Sequence, residues 1–285
     1  GNLGSKLISF FLIPLYTNAL TTTEYGVVDL IATVGTVAVP VLTLNICESV
    51  MRFALDKDAN KDKITQIGTN LLLIGMVVGL VIFPICHSFN RISQYSAFVY
   101  FYVISLAASQ LYLCDLRGKE LLVYYSIGNV LHTFFIAALN ILFLVVFKGG
   151  IEGYLNAYII ANILTATYAL IMGKGYRSFS FSGVDKKLLQ RMIKYSVVLI
   201  PNSFMWWIMN SSDRVMVSSM VGIAANGIYA VSYKLPTLVS TLTTIFNQAW
   251  SYSAIREEGT EDENEYNNKI FRTLIGIVML IGIGL

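Results

Sequence analysis

The amino-acid sequence predicts an all-α polytopic membrane protein with eight complete spans and a truncated ninth. Of its 285 residues, 55% are hydrophobic and only 13% are charged, whereas a soluble domain carries about 25% charged residues. The mean hydropathy is +0.65. Several apolar runs are also long enough to cross a hydrocarbon layer about 30 Å thick. This composition excludes soluble enzymes and nucleic-acid-binding proteins.

The spans are apolar runs of about twenty residues bounded by polar breaks. In order they are 2–20, 26–50, 67–88, 95–115, 121–147, 151–173, 192–220 and 226–251, and a ninth begins near 270. The first is a transmembrane helix rather than a signal peptide, because Pro14 interrupts it and no cleavage site follows. The chain begins and ends inside apolar runs, so we expect it to be a piece of a longer protein.

The Lys and Arg residues lie mostly on one side of these spans, which predicts a multi-pass protein with a cytoplasmic N-terminus. Two cations fall on the other side, Arg91 and Lys148. Three fall inside the membrane, Lys6, Arg214 and Lys234. The fifteen predicted to be cytoplasmic are Arg52, Lys57, Lys61, Lys63, Arg117, Lys119, Lys174, Arg177, Lys186, Lys187, Arg191, Lys194, Arg256, Lys269 and Arg272.

The predicted external connections are very short, for example 21–25 and 148–150. They leave no room for the sizeable catalytic loops of a membrane glycosyltransferase or polymerase. Cys47, Cys86 and Cys114 lack metal-ligand spacing, so the sequence indicates neither a zinc site nor a disulfide framework. We interpret these cysteines as small apolar residues.

Four spans carry polar stripes at helical spacing, which lipid would not tolerate. They predict either a shared hydrated cavity or tight pairing between helices. The stripes comprise Asn2, Ser5, Lys6, Ser9 and Tyr16; Asp29, Thr33, Thr36, Asn45, Glu48 and Arg52; Asn202, Trp206, Asn210 and Asp213, with Arg214 at the edge; and Tyr229, Tyr233, Thr237, Ser240, Thr244, Asn247 and Ser251, with Lys234 at the margin.

Asp213, Arg214 and Lys234 are predicted at similar depth, about 10–12 Å below the outer surface. Two cations with one acid leave a net positive charge. It is balanced either by an anionic ligand such as a pyrophosphate or by an acid from a further helix.

Other polar residues also keep two interpretations. Lys6 faces the cavity or snorkels, and Arg52 pairs with Glu48 or contacts substrate. Trp206 packs or stacks on a sugar. His132 is a hydrogen-bonded interior residue or a proton relay. Asp29 is interpreted as a cap or helix-interface residue rather than an ion-coupling site.

An internal repeat is suggested because Leu20 to Val28 can be laid over Val221 to Tyr229, with Gly26 on Gly227. The two segments lie six spans apart. An even offset makes such repeats parallel, related by an axis along the membrane normal.

The run from Leu20 to Leu30, preceded by Pro14-Leu15, resembles the bacterial oligosaccharide flippases of the polysaccharide-export family, relatives of the multidrug and toxic compound extrusion (MATE) transporters. Arg52-Phe53, Asp213-Arg214, Gly222 and the run Asn226-Gly227-Ile228-Tyr229 extend the resemblance. It implies a MATE-like two-lobe bundle. Residues 1–173 would be the N-terminal lobe, 174–191 a cytoplasmic linker, and 192–285 the first three helices of the second lobe.

The resemblance further implies a transporter, not an enzyme, that moves a polyprenyl-diphosphate-linked oligosaccharide by alternating access for capsule or lipopolysaccharide synthesis. Lys6, Arg214 and Lys234 would contact the diphosphate, with Asp213 tuning them. Trp206 and Asn210 would lie near sugars, and Arg52 is a further substrate-binding candidate. No metal or cofactor is expected, and coupling to H⁺ or Na⁺ stays open. Expected partners are the lipid bilayer and glycan polymerases or glycosyltransferases, with no nucleic acid.

Two alternatives stay open beside the flippase. One is a cation-coupled multidrug exporter of the same fold, a class that tends to use acidic cavity residues. The other is a membrane glycosyltransferase or polymerase, which the short external loops disfavour.

Overall fold

The computed structural model describes residues 8, 11–56, 59–87, 93–181, 183–234, 236–237, 240, 272, 276 and 279. These residues form helices and no strand, as the sequence predicts. The helices are α1 (Ile13–Ala19), α2 (Thr22–Leu42), α3 (Ile46–Ala54), α4 (Lys61–His87), α5 (Ser96–Gly118), α6 (Leu122–Asn140), α7 (Gly150–Met172), α8 (Lys186–Met220) and α9 (Ile223–Ser232). A π-helical segment, Ile141–Val146, continues α6.

The chain forms two compact units, residues 1–230 and 231–285. The first contains α1 to α8 and all but the last two residues of α9. The division into a lobe of 1–173, a linker and a second lobe stays a prediction. Lys6, the end of the eighth predicted span and nearly all of the ninth lie outside the described residues.

Five of the described helical segments are long and apolar enough to cross a membrane. They correspond to the second through sixth predicted spans and comprise Thr22–Leu42, Lys61–Ile82, Ser93–Gly118, Leu122–Val146 and Gly150–Met172. The other predicted spans stay predictions.

A capping box starts α2 four residues before the predicted position 26. The Thr21 hydroxyl accepts a hydrogen bond from the Glu24 backbone amide, and the Glu24 carboxylate accepts one from the Thr21 amide at 2.8 Å. This reciprocal pair satisfies amides that would otherwise lack partners at the helix end. The predicted external loop 21–25 is therefore mostly helix.

The second span is not one continuous helix over 26–50, as the sequence predicts, but breaks between α2 and α3. Leu44 and Asn45 take left-handed backbone conformations, with φ of 51° and 54°. Pro40 lies one turn before the break and has no amide hydrogen to donate. The Asn45 amide donates back to the Pro40 carbonyl at 2.7 Å and closes the turn.

The seventh span starts six residues earlier than predicted, inside the predicted linker 174–191. Asp185 is the reason, because its carboxylate accepts hydrogen bonds from the Lys187 and Leu188 amides, both at 3.1 Å. An aspartate in this position satisfies the free amides of the first turn. Helix α8 therefore runs for 35 residues.

A buried ion pair joins α4, α5 and α7 at the end of the bundle where Arg52, Arg117 and Lys174 lie, called here the cation-rich end. The Lys119 ammonium donates to Asp115 at 2.7 Å and to the Gly173 carbonyl at 2.8 Å. The Thr65 hydroxyl donates to the same carboxylate. The Lys119 and Asp115 side chains are only 8% and 3% exposed. Lys119 lies in the connection between α5 and α6, where the sequence predicts it, but its side chain is buried.

We expect Lys119→Met to destabilise the protein by about 3 kcal/mol, because the Asp115 carboxylate would stay buried without its charge partner. Thermal unfolding of the full-length protein in nanodiscs measures the loss. Lys61→Met is the control, since Lys61 pairs with Glu120 at 3.8 Å on the surface and such pairs contribute little. Equal losses in both variants would contradict the role given to the Asp115–Lys119 pair.

A disulfide joins Cys47 in α3 to Cys114 in α5, with the two Cα atoms 5.9 Å apart. The sequence-based interpretation of these two cysteines as small apolar residues is therefore wrong. Their separation of 67 residues gave no local spacing signal, and only the packing of α3 against α5 brings them together.

Candidate functional site

A series of polar contacts runs along the interface between α8 and the α2–α3 segment. The side-chain amide of Asn45 donates to the Ser203 hydroxyl at 3.2 Å, and the Ser49 hydroxyl donates to the Met192 carbonyl at 3.0 Å. Towards the other end, the Trp207 indole N–H donates to the Thr33 carbonyl at 3.0 Å. Of the polar stripe of the second span, Asn45 pairs directly with α8 here, and Asp29 does so at the far end of the interface.

At the far end of this interface, Asp29 of α2 forms an ion pair with Arg214 of α8. The guanidinium Nη1 of Arg214 lies 2.7 Å from the Asp29 carboxylate. The Arg214 side chain is 17% exposed and the Asp29 side chain is 8% exposed. The Asn226 amide of α9 donates to the other Asp29 oxygen at 3.3 Å and to the Gly26 carbonyl at 3.2 Å. Asp29 therefore lies at an interface of three helices, where it is the charge partner of Arg214.

Asp213 does not pair with the Arg214 guanidinium. The Tyr229 hydroxyl of α9 donates to one Asp213 oxygen, and the Arg214 backbone amide donates to the other at 2.9 Å. Asp29, Asp213, Arg214, Asn226 and Tyr229 are called here the polar cluster. It contains two carboxylates and one guanidinium, whereas the sequence suggests two cations with one acid.

Directly beside this cluster, α2 and α9 cross at two glycines. A Cβ added to Gly26 would lie 2.1 Å from the Ile223 carbonyl oxygen, and one added to Gly227 would lie 1.9 Å from that of Thr22. Only glycine allows backbones to approach this closely. Each glycine meets the residue one turn before the other glycine, so the contact is reciprocal.

This reciprocity agrees with the predicted internal repeat, in which Gly26 aligns with Gly227 and Thr22 with Ile223. The two aligned segments pack on each other as partners related by a local two-fold axis would. The repeat was weak as a sequence signal and is supported by this packing.

Tyr16 of α1 does not lie on a hydrated face, contrary to the predicted stripe of the first span. It is 5% exposed and packs edge-on against Tyr154 of α7, with ring centroids 5.2 Å apart. Tyr154 stacks in turn on Tyr158 at 4.7 Å. Tyrosine at this position contributes aromatic packing between α1 and α7.

Of the other predicted site residues, Trp206 and Asn210 are both exposed on α8, with Trp206 58% exposed. The Asn210 amide donates to the Trp206 carbonyl at 2.7 Å. It is the neighbouring Trp207 that packs on α2. Lys234 lies in the second compact unit, and Lys6 lies outside the described residues.

Arg52, at the cation-rich end, pairs with Asp56 at 2.6 Å. The prediction that Arg52 pairs with Glu48 is wrong, but the partner is still four residues away along the chain, as expected. His132 is hydrogen-bonded to the buried Asn162 at 3.0 Å, as predicted for an interior histidine. Among the described residues, no group of three or more His, Cys, Asp or Glu side chains is arranged to hold a metal ion.

Comparison with known protein families shows that a family model described as polysaccharide biosynthesis protein matches residues 1–252. Comparisons with curated proteins and with solved structures give no match. The family match spans α1 to α9, including the polar cluster and both crossing glycines.

Proposed function

Because the chain belongs to the polysaccharide biosynthesis protein family, whose members include membrane flippases, we propose that it moves a lipid-linked oligosaccharide across the bacterial plasma membrane by alternating access. The chain is a multi-pass membrane protein, and the described helices that can span the bilayer provide the membrane context that such a substrate requires. The proposed substrate is a polyprenyl-diphosphate-linked precursor of capsule or lipopolysaccharide.

The observation that carries this proposal is the contact between α2 and α9. Both helices begin at the predicted outer end, where the reciprocal glycine contact closes the space between them. The contact joins different helices, so it can separate without breaking any helical hydrogen bond. An outer gate needs this property, because substrate must leave on that side and the gate must then close again.

The polar cluster lies next to this contact and fits the role of a latch. The Asp29–Arg214 pair and the Asn226 hydrogen bond hold the outer ends of α2, α8 and α9 together. Ion pairs of this kind repack when interfaces change in switching proteins. In this proposal Arg214 contacts the substrate diphosphate only after the latch opens, while Lys6 and Lys234 contact it from the cavity.

The exposed face of α8 is the proposed sugar-contacting surface. Asn202, Trp206 and Asn210 recur every four residues along it and are all exposed. Amide groups and an aromatic ring are suited to hydrogen bonding and stacking with sugar rings. They stay candidate substrate contacts.

One observation favours the second candidate, a cation-coupled multidrug exporter. The polar cluster has one carboxylate more than it has guanidinium groups, and intramembrane carboxylates serve as proton relays in transporters. The same excess also fits a flippase that uses H⁺ or Na⁺ for coupling, with Asp213 as the coupling residue.

Reconstitution of the full-length protein tests the two candidates directly. We expect proteoliposomes to translocate a fluorescent polyprenyl-diphosphate oligosaccharide. Lys6→Ala with Lys234→Ala should slow translocation by about a hundredfold, since each of the two charge-assisted contacts that are removed contributes about 1.5 kcal/mol.

Lys194→Ala is the control for this experiment, because Lys194 is exposed near the start of α8. Drug efflux without glycan-lipid translocation would contradict the flippase proposal and support the multidrug exporter. Full translocation by the double variant would show that Lys6 and Lys234 are not needed as substrate contacts.

A further inference from the structure

A cleft of about 550 Å³ lies at the cation-rich end, far from the polar cluster. It is formed by Phe53, Asp56 and residues 59–64 on one side and by the first turns of α8 on the other. Arg191 and Arg214 are 23 residues apart on α8, which corresponds to about 35 Å of helix. The cleft is therefore separate from the proposed gate and sugar-contacting surface.

Three cations from two distant parts of the chain line this cleft, Lys63, Lys187 and Arg191. Among the described residues, their side chains form no hydrogen bond or ion pair. Arg191 is held by the Phe53 ring, with its guanidinium carbon 5.3 Å from the ring centroid. That contact uses none of the guanidinium N–H donors, which suit a planar or tetrahedral oxyanion.

The two carboxylates in the cleft are already engaged. Asp56 pairs with Arg52 at 2.6 Å, and Asp185 caps α8. Hydrogen bonds from the Leu188 and Lys187 amides hold the pKa of Asp185 below its ordinary value. The charges of Lys63 and Lys187 lower this pKa as well, so both lysines interact with Asp185. With Asp56 paired to Arg52, three cations face one carboxylate, and the described residues of the cleft keep a net positive charge for a ligand.

The floor of the cleft is apolar. It is formed by Phe53, Ile64 and Leu188, and Ile64 is almost fully buried at 1% exposure. Cations at the rim and apolar side chains below them suit a ligand that has a phosphate group and an attached hydrocarbon part.

From these features we propose that the cleft binds a phosphate-bearing anion at the predicted cytoplasmic membrane surface. The shared chemistry is a phosphate group contacted by Lys63, Lys187 and Arg191. Its source is either the headgroup of an anionic phospholipid or a phosphate in solution. The site is distinct from the substrate site, so its test does not depend on glycan export.

Binding is measured with the full-length protein in detergent by the shift in its thermal unfolding temperature. The probes are a short-chain phosphatidylglycerol, a short-chain phosphatidylcholine and inorganic phosphate, each titrated separately. We expect the phosphatidylglycerol or inorganic phosphate to bind. Each of Lys63→Gln, Lys187→Gln and Arg191→Gln should weaken that binding by about fivefold.

Lys186→Gln and Lys194→Gln are matched controls, since these exposed lysines lie on the same helix but outside the cleft. They should weaken binding by less than twofold. Saturation by phosphatidylglycerol alone identifies a lipid headgroup, and saturation by inorganic phosphate identifies a soluble anion. The proposal is overturned if neither anion binds, if phosphatidylcholine binds equally well, or if the controls lose as much affinity as the cleft variants.

Discussion

Gly227→Ala is expected to abolish export of surface glycan while leaving membrane insertion intact. The added methyl group would lie 1.9 Å from the Thr22 carbonyl oxygen, which belongs to the backbone. No side-chain movement relieves such an overlap, so α2 and α9 must separate. An overpacking penalty of about 3 kcal/mol would lower the population of the closed gate by about a hundredfold.

Two measurements follow this change. Surface glycan is measured in cells that lack the native gene. Opening of the gate is measured in a variant with its native cysteines replaced and Ser218→Cys added, because Ser218 is buried near the outer end of α8. A membrane-impermeant maleimide applied from outside should label this cysteine faster when Gly227 is replaced. Gly26→Ala should act in the same way, because its contact is reciprocal.

Gly276→Ala is the matched control, since no atom of the described residues lies within 4 Å of its added Cβ. It should leave both export and labelling unchanged. Normal export by Gly227→Ala would show that the close approach of α2 and α9 is unnecessary for transport, and the gate proposal would then be abandoned.

Exchanging the charges of Asp29 and Arg214 is the second decisive test. Arg214→Gln or Asp29→Asn alone leaves one charge inside the bundle without its partner, and breaking such a pair costs about 3 kcal/mol. We expect either change to reduce export by at least about tenfold. Asp29→Arg combined with Arg214→Asp restores opposite charges across the same interface and should recover most of the export.

The result of the exchange distinguishes two roles of Arg214. Recovery supports a latch that needs only complementary charges. An inactive exchange variant, with normal insertion and unfolding temperature, would mean that Arg214 is required at its own position as an anion contact. Exchange of Lys61 and Glu120 is the control, because this pair lies at the surface and surface pairs contribute little.

The spans follow from the sequence because hydrophobic length and Lys/Arg asymmetry are local signals. The hydrophobic lengths reappear in the structure as the long helices α2 and α4 to α7, with their bounds shifted by a few residues, and the orientation inferred from Lys and Arg stays a prediction. The ends were harder to predict. The capping side chains Thr21 and Asp185 outweigh the composition of the segments that they start, so α2 and α8 begin before the apolar runs do.

The polar cluster was only half predictable. Asp213 and Arg214 stood out as charged residues at depth, but neighbours on a helix point about 100° apart. Arg214 therefore reaches Asp29 on α2, while Asp213 reaches Tyr229 on α9. The rotation of one helix against another decides such pairs, and one sequence carries no record of it. The similar depth of Asp29 and Arg214 was the available signal.

The break at Thr43–Asn45 divides the interface with α8 into two stretches that can behave differently. Asp29 and Thr33 contact α8 before the break, and Asn45 and Ser49 contact it beyond the break. The outer stretch, in α2, can separate from α8 while the inner stretch, in α3, stays packed on it. Opening would then proceed stepwise rather than as one rigid movement. Backbone amides of α3 should then exchange with deuterium more slowly than those near the start of α2. The delay between the opening of the outer stretch and that of the inner stretch would set the pace of each transport cycle.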